Sequence, residues 1–337
     1  MISPRLLLLF FFFVANLVAK ETTSKLIVWP EPPQQPRIQY VDTWTKAEDL
    51  NIKKGFFAQL FEILAGEEPQ ALVKPFGIEE TKDGRLLVTD TALKSIFIFD
   101  RRNEDVKVID TFKKERFEAP IDVAADEKGN IYVSDSKLGY VYVFDEKGDA
   151  KYKIGEDTKL HRPTGIAINN KLDRIYVSDT ITGSIKVYTL SGQYMKTIGR
   201  AGKEHGEFNK PTFLALDKEG NLYVADSMNQ RVQILDADGV FIKTFGQLGK
   251  TAGNFANPRG IALDEDGNIY VSDTLFNNIQ IFNKNGEFLL VFGSFGNKEG
   301  EFSIPEDIVI NDKGLIYVVD SYNMRVQLFQ HLRSIDE

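Results

Sequence analysis

Six prolines and six aspartates recur along this chain, and their spacing limits the fold more than any other feature of the sequence. Each proline is followed, about fifteen residues later, by an aspartate. The pairs are Pro75 and Asp90, Pro120 and Asp135, Pro163 and Asp179, Pro211 and Asp226, Pro258 and Asp273, and Pro305 and Asp320. Successive aspartates lie 44 to 47 residues apart. Leucine-rich solenoids have a shorter period, and the 3.6-residue periodicity of helical repeats is missing from this sequence.

The fifth copy shows which strands one repeat contains. Residues 260–263, 269–271, 279–282 and 288–292 are short runs rich in β-branched and aromatic side chains. Glycine turns at Gly267 and Gly286 separate two pairs of these runs, as in antiparallel hairpins. Four short strands per repeat at this period are typical of a propeller blade. The sequence therefore predicts an all-β fold, a six-bladed β-propeller, over residues 75–329.

Three heptapeptides and a connector carry a resemblance to a known repeat family. PRGIALD at 258–264, GNIYVSD at 267–273 and NMRVQLF at 323–329 resemble the NHL repeat. So does a glycine-rich connector that begins at Gly199 and recurs from Gly246 and from Gly293. The resemblance covers about three quarters of the chain and is strongest in copies four to six. The opening VWPEPPQQPRIQYV at 28–41 also resembles the leader of exported bacterial NHL-repeat proteins of unassigned function.

The sixth copy lacks a fourth strand. It ends at Phe329, and residues 330–337 form a mostly polar tail. An open ring would expose unpaired strand edges, so we expect RIQYVDTW at 37–44 to supply the missing strand and close the ring. Residues 20–36, rich in proline, are then an extended spacer. Residues 45–74 form a linker in which apolar spacing predicts a short helix from Lys54 to Ala65, packed on the propeller or, alternatively, docked on a partner or a membrane surface.

The first nineteen residues have the pattern of a targeting segment. A basic start at Arg5 precedes an apolar run of about ten residues, and polar residues follow Ala19. This is typical of a secretory signal peptide, and the run is short for a spanning helix. We expect either a cleaved signal or an uncleaved membrane anchor, and in both cases an exported protein, periplasmic or extracellular.

Composition excludes several classes of function. The formal net charge is −8 and no block of basic residues is present, which disfavours nucleic-acid binding, including the RNA binding known for some NHL propellers. The chain has no cysteine, so disulfides, thiolate metal sites and cysteine nucleophiles are excluded. We expect a monomer whose partner is a protein or a glycan, and no bound cofactor apart from a possible calcium ion.

The six repeated aspartates could suggest a metal site, but a structural role is the simpler interpretation. Each is followed by a serine or threonine: Thr91, Ser136, Thr180, Ser227, Thr274 and Ser321. Such pairs at strand ends accept hydrogen bonds from turn amides, and a single ligand set would not be copied into every blade. Arg231 and Arg325 are expected to pair with the neighbouring aspartates.

Few residues have the pattern of a catalytic or metal site. The three histidines, His161, His205 and His331, fall in connectors and in the tail, which disfavours a three-histidine zinc site. A calcium site is a weaker alternative, with Asp122, Glu306 and Asp307 as its candidate ligands. No serine nucleophile motif is present in the sequence, so no catalytic residue is predicted.

Charge differs between the two faces of the predicted ring. One face, which we call the connector face, carries the inter-blade connectors and the loops that follow the repeated aspartates, and it is rich in Lys and Arg. The other, the turn face, carries the acidic glycine turns. We predict that the connector face binds an anionic glycan or an acidic protein segment, although a merely solvated face of mixed charge is an equal alternative.

The candidate binding residues are Phe76, Ile121, Arg162, Thr164, His205, Lys210, Thr212, Arg259, Phe276, Glu306 and Tyr322. The favoured function is a non-catalytic binding or scaffold module, and the alternative is a calcium-dependent hydrolase or lyase with its site at the channel mouth.

Overall fold

The structure is a ring of six antiparallel sheets, as the repeat predicts. It is a computed structural model that describes residues 26–50 and 71–332. In five sheets the four strands follow chain order from the channel outward, and the sixth sheet has five strands, two of which come from the N-terminal part of the chain. The predicted all-β, six-bladed propeller is confirmed.

The first three blades share one pattern of four strands, with a small hairpin between blades 1 and 2. Their strands are β3 (Pro75–Glu80), β4 (Leu86–Asp90), β5 (Ser95–Asp100), β6 (Asp105–Ile109), the hairpin β7 (Thr111–Phe112) and β8 (Glu115–Arg116), then β9 (Pro120–Ala125), β10 (Ile131–Asp135), β11 (Tyr140–Phe144), β12 (Ala150–Ile154), β13 (Pro163–Asn169), β14 (Arg174–Asp179), β15 (Ser184–Tyr188) and β16 (Tyr194–Ile198).

Blades 4 to 6 repeat the pattern and add two 3₁₀ turns, Ser227–Asn229 and Ser321–Asn323. Their strands are β17 (Pro211–Leu216), β18 (Leu222–Asp226), β19 (Arg231–Leu235), β20 (Phe241–Phe245), β21 (Pro258–Leu263), β22 (Ile269–Asp273), β23 (Asn278–Phe282), β24 (Phe288–Phe292), β25 (Pro305–Ile310), β26 (Leu315–Asp320) and β27 (Arg325–His331).

An N-terminal strand closes the ring, as predicted. Strand β2 (Ile38–Trp44) pairs antiparallel with β27 from Ile38 opposite His331 to Trp44 opposite Val326. Trp44 is fully buried and its ring lies 5.1 Å from that of Phe99 in blade 1. The first and last parts of the propeller are thereby joined through both hydrogen bonds and apolar packing.

Two details at this seam differ from the prediction. The part of the predicted spacer that the structure describes, residues 26–36, is not simply extended, because β1 (Val28–Trp29) folds back and pairs with Ile38 and Gln39 as a fifth strand. Trp29 then packs at 5.9 Å from Phe329, which gives the proline-rich segment an apolar anchor. In addition, β27 continues to His331, so the strand runs two residues past the predicted end of the repeat.

Some predicted features lie outside the described residues. The predicted signal or anchor at 1–19 and the predicted helix from Lys54 to Ala65 are among them. The described parts of the 45–74 linker contain a 3₁₀ helix, Ala47–Leu50, and an isolated bridge between Lys46 and Ala71. Within 26–50 and 71–332, no helix has the length and apolar character needed to cross a membrane.

The core lies between the blades. The second strand of every blade is buried on both faces, as in Ile131–Asp135, because sheets of successive blades pack face to face. One large side chain three residues before each repeated proline fills the gap where blades meet. These six buried residues are Leu72, Phe117, Leu160, Phe208, Phe255 and Phe302. Apolar burial of this extent supplies most of the stabilising free energy of a propeller.

The repeated aspartates hold the connector face together. Asp90 is fully buried, and its carboxylate accepts hydrogen bonds from the backbone amides of Val73, Lys74, Ala92 and Leu93. The equivalent carboxylates Asp135, Asp179, Asp226, Asp273 and Asp320 are also fully buried and accept amide hydrogen bonds from the preceding connector. A carboxylate that accepts several such bonds fixes the loops on both sides of it.

Two blades strengthen this arrangement with arginine. Arg325 donates from Nε to Asp320 at 2.7 Å, and its other nitrogens reach the carbonyls of Asn297, Lys298 and Glu301. Arg231 pairs with Asp226 in the same way. The connectors that precede blades 4 and 6 are therefore braced from beneath by a planar fork of donors.

Candidate functional site

The central channel is shaped by alternating large and small residues. Two residues after each repeated proline, the inner strands carry Gly77, Asp122, Gly165, Phe213, Gly260 and Asp307 in turn. A Cβ atom at Gly77 would lie 2.5 Å from the carbonyl oxygen of Ile121, and one at Gly260 would lie 2.7 Å from the Cα atom of Asp307. Only glycine permits this approach. In every second blade a glycine therefore lets the inner strand of the next blade approach, at Asp122, Phe213 and Asp307.

Three apolar side chains close the channel. The rings of Phe76 and Phe213 stack across it with their centroids 6.1 Å apart. Ile121 belongs to the same buried cluster. We call these three residues the plug. The plug leaves a small pocket on the connector face, which we call the mouth, and a separate cavity toward the turn face, which we call the turn-side cavity.

The mouth is a polar pocket with a cationic rim. Its volume is about 180 Å³. Two pairs of hydroxyl groups line it, Thr164 with Thr180 at 2.7 Å and Thr212 with Ser227 at 2.8 Å. The plug residues Phe76 and Ile121 form its apolar floor, and Met228 and Asn257 complete the wall.

Three basic residues from consecutive blades line this pocket. Arg162 and Lys210 are exposed, and neither forms an ion pair with another residue in the described ranges. Arg259 is paired with Glu306 at 3.0 Å and lies over the ring of Phe76 at 5.4 Å. Burial raises the pKa of Glu306, while the positive charges of Arg259 and Lys74 oppose that rise. The rim thus keeps an excess of positive charge.

The structure brings most of the predicted binding residues together. The pocket is lined by seven of them: Phe76, Ile121, Arg162, Thr164, Lys210, Thr212 and Arg259. Glu306 adjoins the pocket through Arg259. The other three do not line it. His205 stacks on Phe241 with 4.0 Å between ring centroids, Phe276 lies half-buried in the loop after Asp273, and Tyr322 projects from the loop after Asp320.

Four lining residues were not among the predicted binding residues: Thr180, Ser227, Met228 and Asn257. Thr180 and Ser227 directly follow repeated aspartates, and from the sequence we expect only a structural role for them. Their position in the repeat could have identified them, because the residue after each aspartate lies beside the start of the inner strand.

The turn-side cavity holds three carboxyl groups. Its volume is about 300 Å³, and Glu79, Asp122 and Asp307 are part of its lining. Burial, with the nearby charges of Asp307 and Glu80, raises the pKa of Glu79 from 4.5 to about 8. Burial also raises the pKa of Asp122 to about 8, although hydrogen bonds from the amides of Ile166 and Val123 oppose the shift. The pKa of Asp307 is raised by burial and by the charge of Asp122. Burial and the mutual repulsion of these groups thus shift all three toward the protonated form.

The predicted calcium ligands do not form one site. Glu306 adjoins the mouth, whereas Asp122 and Asp307 line the cavity on the other side of the plug. Asp122 accepts amide hydrogen bonds at both carboxylate oxygens, and Asp307 accepts one from Ile78 of blade 1. Among the residues that the structure describes, no group of three or more His, Asp or Glu side chains is arranged to hold a metal ion. The arrangement therefore does not fit the calcium site that we considered.

The histidines are also dispersed. His161 lies 3.7 Å from Asp179 and His331 lies 3.8 Å from Asp264, while His205 stacks on an aromatic ring in blade 4. They belong to three different places on the ring.

Comparison with known proteins gives two family matches along the chain. The family model described as SMP-30/Gluconolactonase/LRE-like region matches residues 75–246, slightly more than half of the chain. The NHL repeat matches residues 255–282 and 302–329, in blades 5 and 6. The resemblance to NHL repeats that the sequence suggested is confirmed.

Similar proteins include enzymes of two kinds. A gluconolactonase of Zymomonas mobilis subsp. mobilis is 28% identical over 170 residues, covering 43% of this chain and 47% of the relative. The chain thus spans about half the length of the curated relative it matches. A gluconolactonase structure from Xanthomonas campestris superposes with a TM-score of 0.59 at 14% identity, covering 77% of this chain and 86% of that one. Virginiamycin B lyase from Staphylococcus aureus gives 0.58 at 14% identity, covering 77% and 81%. At these identities the two structures show a shared fold.

Proposed function

This chain belongs to the SMP-30/gluconolactonase/LRE-like family, and a propeller fold can carry either a binding site or a catalytic one. We propose that this propeller is a non-catalytic recognition module that binds an anionic group of a protein or glycan at the mouth. The observation that carries the proposal is the pair Arg162 and Lys210. These two exposed cations flank a concave pocket, and neither has an acidic partner among the described residues.

The surroundings of this pair suit a carboxylate better than a neutral ligand. The hydroxyl groups of Thr180 and Ser227 donate to the carbonyl oxygens of Pro211 and Pro258. Thr164 and Thr212, which pair with them, can turn their protons toward an anion in the pocket. A pocket of about 180 Å³ is large enough for a carboxylate with its attached carbon atoms and too small for a folded domain. The ligand therefore inserts a side chain, a chain end or an acidic sugar. Arg162 and Lys210 are exposed in the free protein, but a carboxylate that enters the pocket is partly withdrawn from water. Its attraction to the two cations is then stronger than that of a ligand on the open rim.

The same pocket offers little to a hydrolytic mechanism. Its one carboxylate, Glu306, adjoins it from the side and is paired with Arg259. A general base must be within hydrogen-bonding reach of its substrate, and an ion-paired carboxylate is a weak base. The apolar plug separates the mouth from the remaining channel carboxyl groups. These features support recognition over catalysis at the connector face.

A binding titration with charge-reversed variants tests the proposal. The probes are octaglutamate, as an acidic peptide, and an oligogalacturonate, as an acidic glycan. We expect wild type to bind at least one of them, with an affinity that falls as salt is added. The double variant Arg162→Glu, Lys210→Glu should bind it at least tenfold more weakly. The matched control is Lys218→Glu, Lys284→Glu on the turn face. Failure of wild type to bind either probe, or an equal loss in both variants, would contradict the proposal.

A second candidate function is a hydrolase or lyase that uses the turn-side cavity. Two observations favour it, the gluconolactonase relative and the raised pKa values of Glu79 and Asp122. A carboxyl group that is still protonated at neutral pH can act as a general acid. Hydrolysis of glucono-1,5-lactone, measured with calcium and again with a chelator, tests this candidate. Activity that is lost in Glu79→Gln but kept in the exposed control Glu146→Gln would replace the recognition proposal.

The location of the protein is part of the proposal. Residues 1–19 have the composition of an export signal, so we place the propeller in the periplasm or outside the cell, free or tethered to the membrane. Fractionation followed by N-terminal sequencing tests this. A mature protein that begins near Lys20 indicates cleavage, an intact N-terminus in the membrane fraction indicates an anchor, and a cytoplasmic protein contradicts export.

A further inference from the structure

The rim beside the mouth carries large apolar side chains that are exposed to solvent. Leu275 is 66% exposed, Phe295 73%, Tyr322 72% and Ile304 39%. They come from the connector between blades 5 and 6 and from the loops that follow Asp273 and Asp320. Single exposed apolar residues are ordinary on protein surfaces, so their grouping matters more than their number.

Hydrogen bonds show that these residues are neighbours. The backbone amide of Ile304 donates to the side chain of Asn277, two residues from Leu275, at 2.9 Å. The side chain of Asn323, next to Tyr322, donates to the carbonyl of Gly296, next to Phe295, at 2.9 Å. The three segments are therefore in direct contact. We call the four exposed apolar side chains that they carry the blade 5–6 patch.

The blade 5–6 patch is continuous with the mouth. Asn257, which lines the mouth, donates to the hydroxyl of Thr274, and Leu275 follows Thr274 in the chain. Ile304 occupies in blade 6 the position that Arg162 and Lys210 occupy in blades 3 and 4, immediately before the repeated proline. One extended ligand about as wide as a polypeptide could contact both the cations and the patch.

The loop that presents Phe295 is held by several hydrogen bonds from the side chains of blade 6. The guanidinium group of Arg325 binds three carbonyl groups of this connector, and Gln327 binds the carbonyl of Glu301 and the amide of Gly300. A side chain on a fixed loop loses little conformational entropy when a partner covers it. Large apolar groups held in this way are typical of sites that anchor a partner.

We propose that the blade 5–6 patch and the mouth together bind an acidic polypeptide segment, which places apolar side chains against Phe295 and Tyr322 and a carboxylate between Arg162 and Lys210. This inference rests on the proposed function, because it assigns the same mouth to a polypeptide. Charge complementarity favours an acidic segment. A flat anionic membrane is a poorer partner, because the two cations flank a concave pocket and the whole chain carries a formal net charge of −8.

Fluorescence anisotropy with two labelled peptides tests the inference. One probe is octaglutamate, and the other is an eight-residue peptide in which Glu and Phe alternate. We expect wild type to bind the alternating peptide at least tenfold more tightly, because burial of each large apolar side chain strengthens binding by about that factor. The patch variant Phe295→Ser, Tyr322→Ser should remove this advantage and leave octaglutamate binding unchanged.

The controls separate failure of the patch from failure of the mouth. Val240→Ser changes an apolar residue that is 62% exposed on the turn face, and it should bind both peptides as wild type does. Equal binding of both peptides by wild type, or no loss in the patch variant, overturns the patch and leaves the mouth standing. If neither peptide binds to wild type, the proposed function fails as well. A patch variant that loses binding only to vesicles of phosphatidylcholine and phosphatidylglycerol would identify a membrane-docking surface instead.

Discussion

Replacement of Glu79 by glutamine should change how the stability of the propeller depends on pH. Glu79 lines the turn-side cavity, where burial and the charges of Asp307 and Glu80 raise its pKa to about 8. Unfolding returns the carboxyl group to water and to its ordinary pKa of 4.5. Between these two values the folded chain holds a proton that the unfolded chain releases, so rising pH favours unfolding.

The size of the effect follows from this difference in pKa. The stabilisation from the protonated carboxyl group is complete below pH 4.5 and is lost as the pH rises through about 8. The slope is about 1.4 kcal/mol per pH unit for one group. From pH 5 to pH 7 the loss is therefore about 2.7 kcal/mol at most. Because the cavity is open to water, screening reduces it to about 1.5 kcal/mol.

Urea unfolding of wild type and Glu79→Gln at pH 5, 6 and 7 measures this loss. The free energy of unfolding of wild type should fall relative to that of the variant by about 1.5 kcal/mol over this range. The exposed substitution Glu146→Gln serves as the control and should follow wild type. A constant difference between wild type and Glu79→Gln at all three pH values would refute the assignment of a protonated carboxyl group to the cavity.

Three further substitutions test the fold that holds the site. Trp44→Ala should lower the free energy of unfolding by about 3–5 kcal/mol, because Trp44 is buried against Phe99 at the seam; a loss below about 1 kcal/mol in urea unfolding would contradict the closure by β2. Arg325→Ala should lower the free energy of unfolding by about 3–5 kcal/mol, and Arg325→Lys by nearly as much, since a lysine cannot replace the fork of donors. A lysine variant with the melting temperature of wild type would disprove the bracing role. Gly260→Ala should lower the free energy of unfolding by about 1–3 kcal/mol, because the added Cβ would approach Asp307. An unchanged melting temperature would show that the inner strands of blades 5 and 6 can move apart to admit it.

The blade architecture was predictable because it repeats. The proline and aspartate spacing identified six blades, and the incomplete last copy identified residues 37–44 as the closing strand. The sequence pattern does not predict the pairing of β1 with β2, nor the hairpin of β7 with β8. Strands of two residues have no measurable alternation, and Trp29, which pairs with Ile38, packs on Phe329, a residue distant in sequence.

The site was predictable only in part. Register within the repeat brings seven candidate binding residues to the mouth, because equivalent positions in each blade surround one axis. His205 was assigned to the rim from its place in a connector, yet the connector is long and its histidine contacts Phe241 instead. The contact between Phe76 and Phe213 could not be foreseen, since these residues are far apart in sequence and meet only across the closed ring. The candidate calcium ligands Glu306 and Asp307 are neighbours in sequence, yet Glu306 adjoins the mouth and Asp307 lines the turn-side cavity.

The absence of cysteine from the sequence permits a direct test of where the ligand binds. A single thiol is introduced at the mouth by Met228→Cys, or on the turn face by Val240→Cys. The rate of its alkylation by N-ethylmaleimide is measured in the absence and in the presence of a ligand, which is either octaglutamate or oligogalacturonate, whichever binds more tightly. Occupation of the mouth should slow alkylation of the first thiol in proportion to the bound fraction and leave the second unchanged. An unaltered rate at the first thiol under saturating ligand, or protection of the second, would contradict recognition at the connector face.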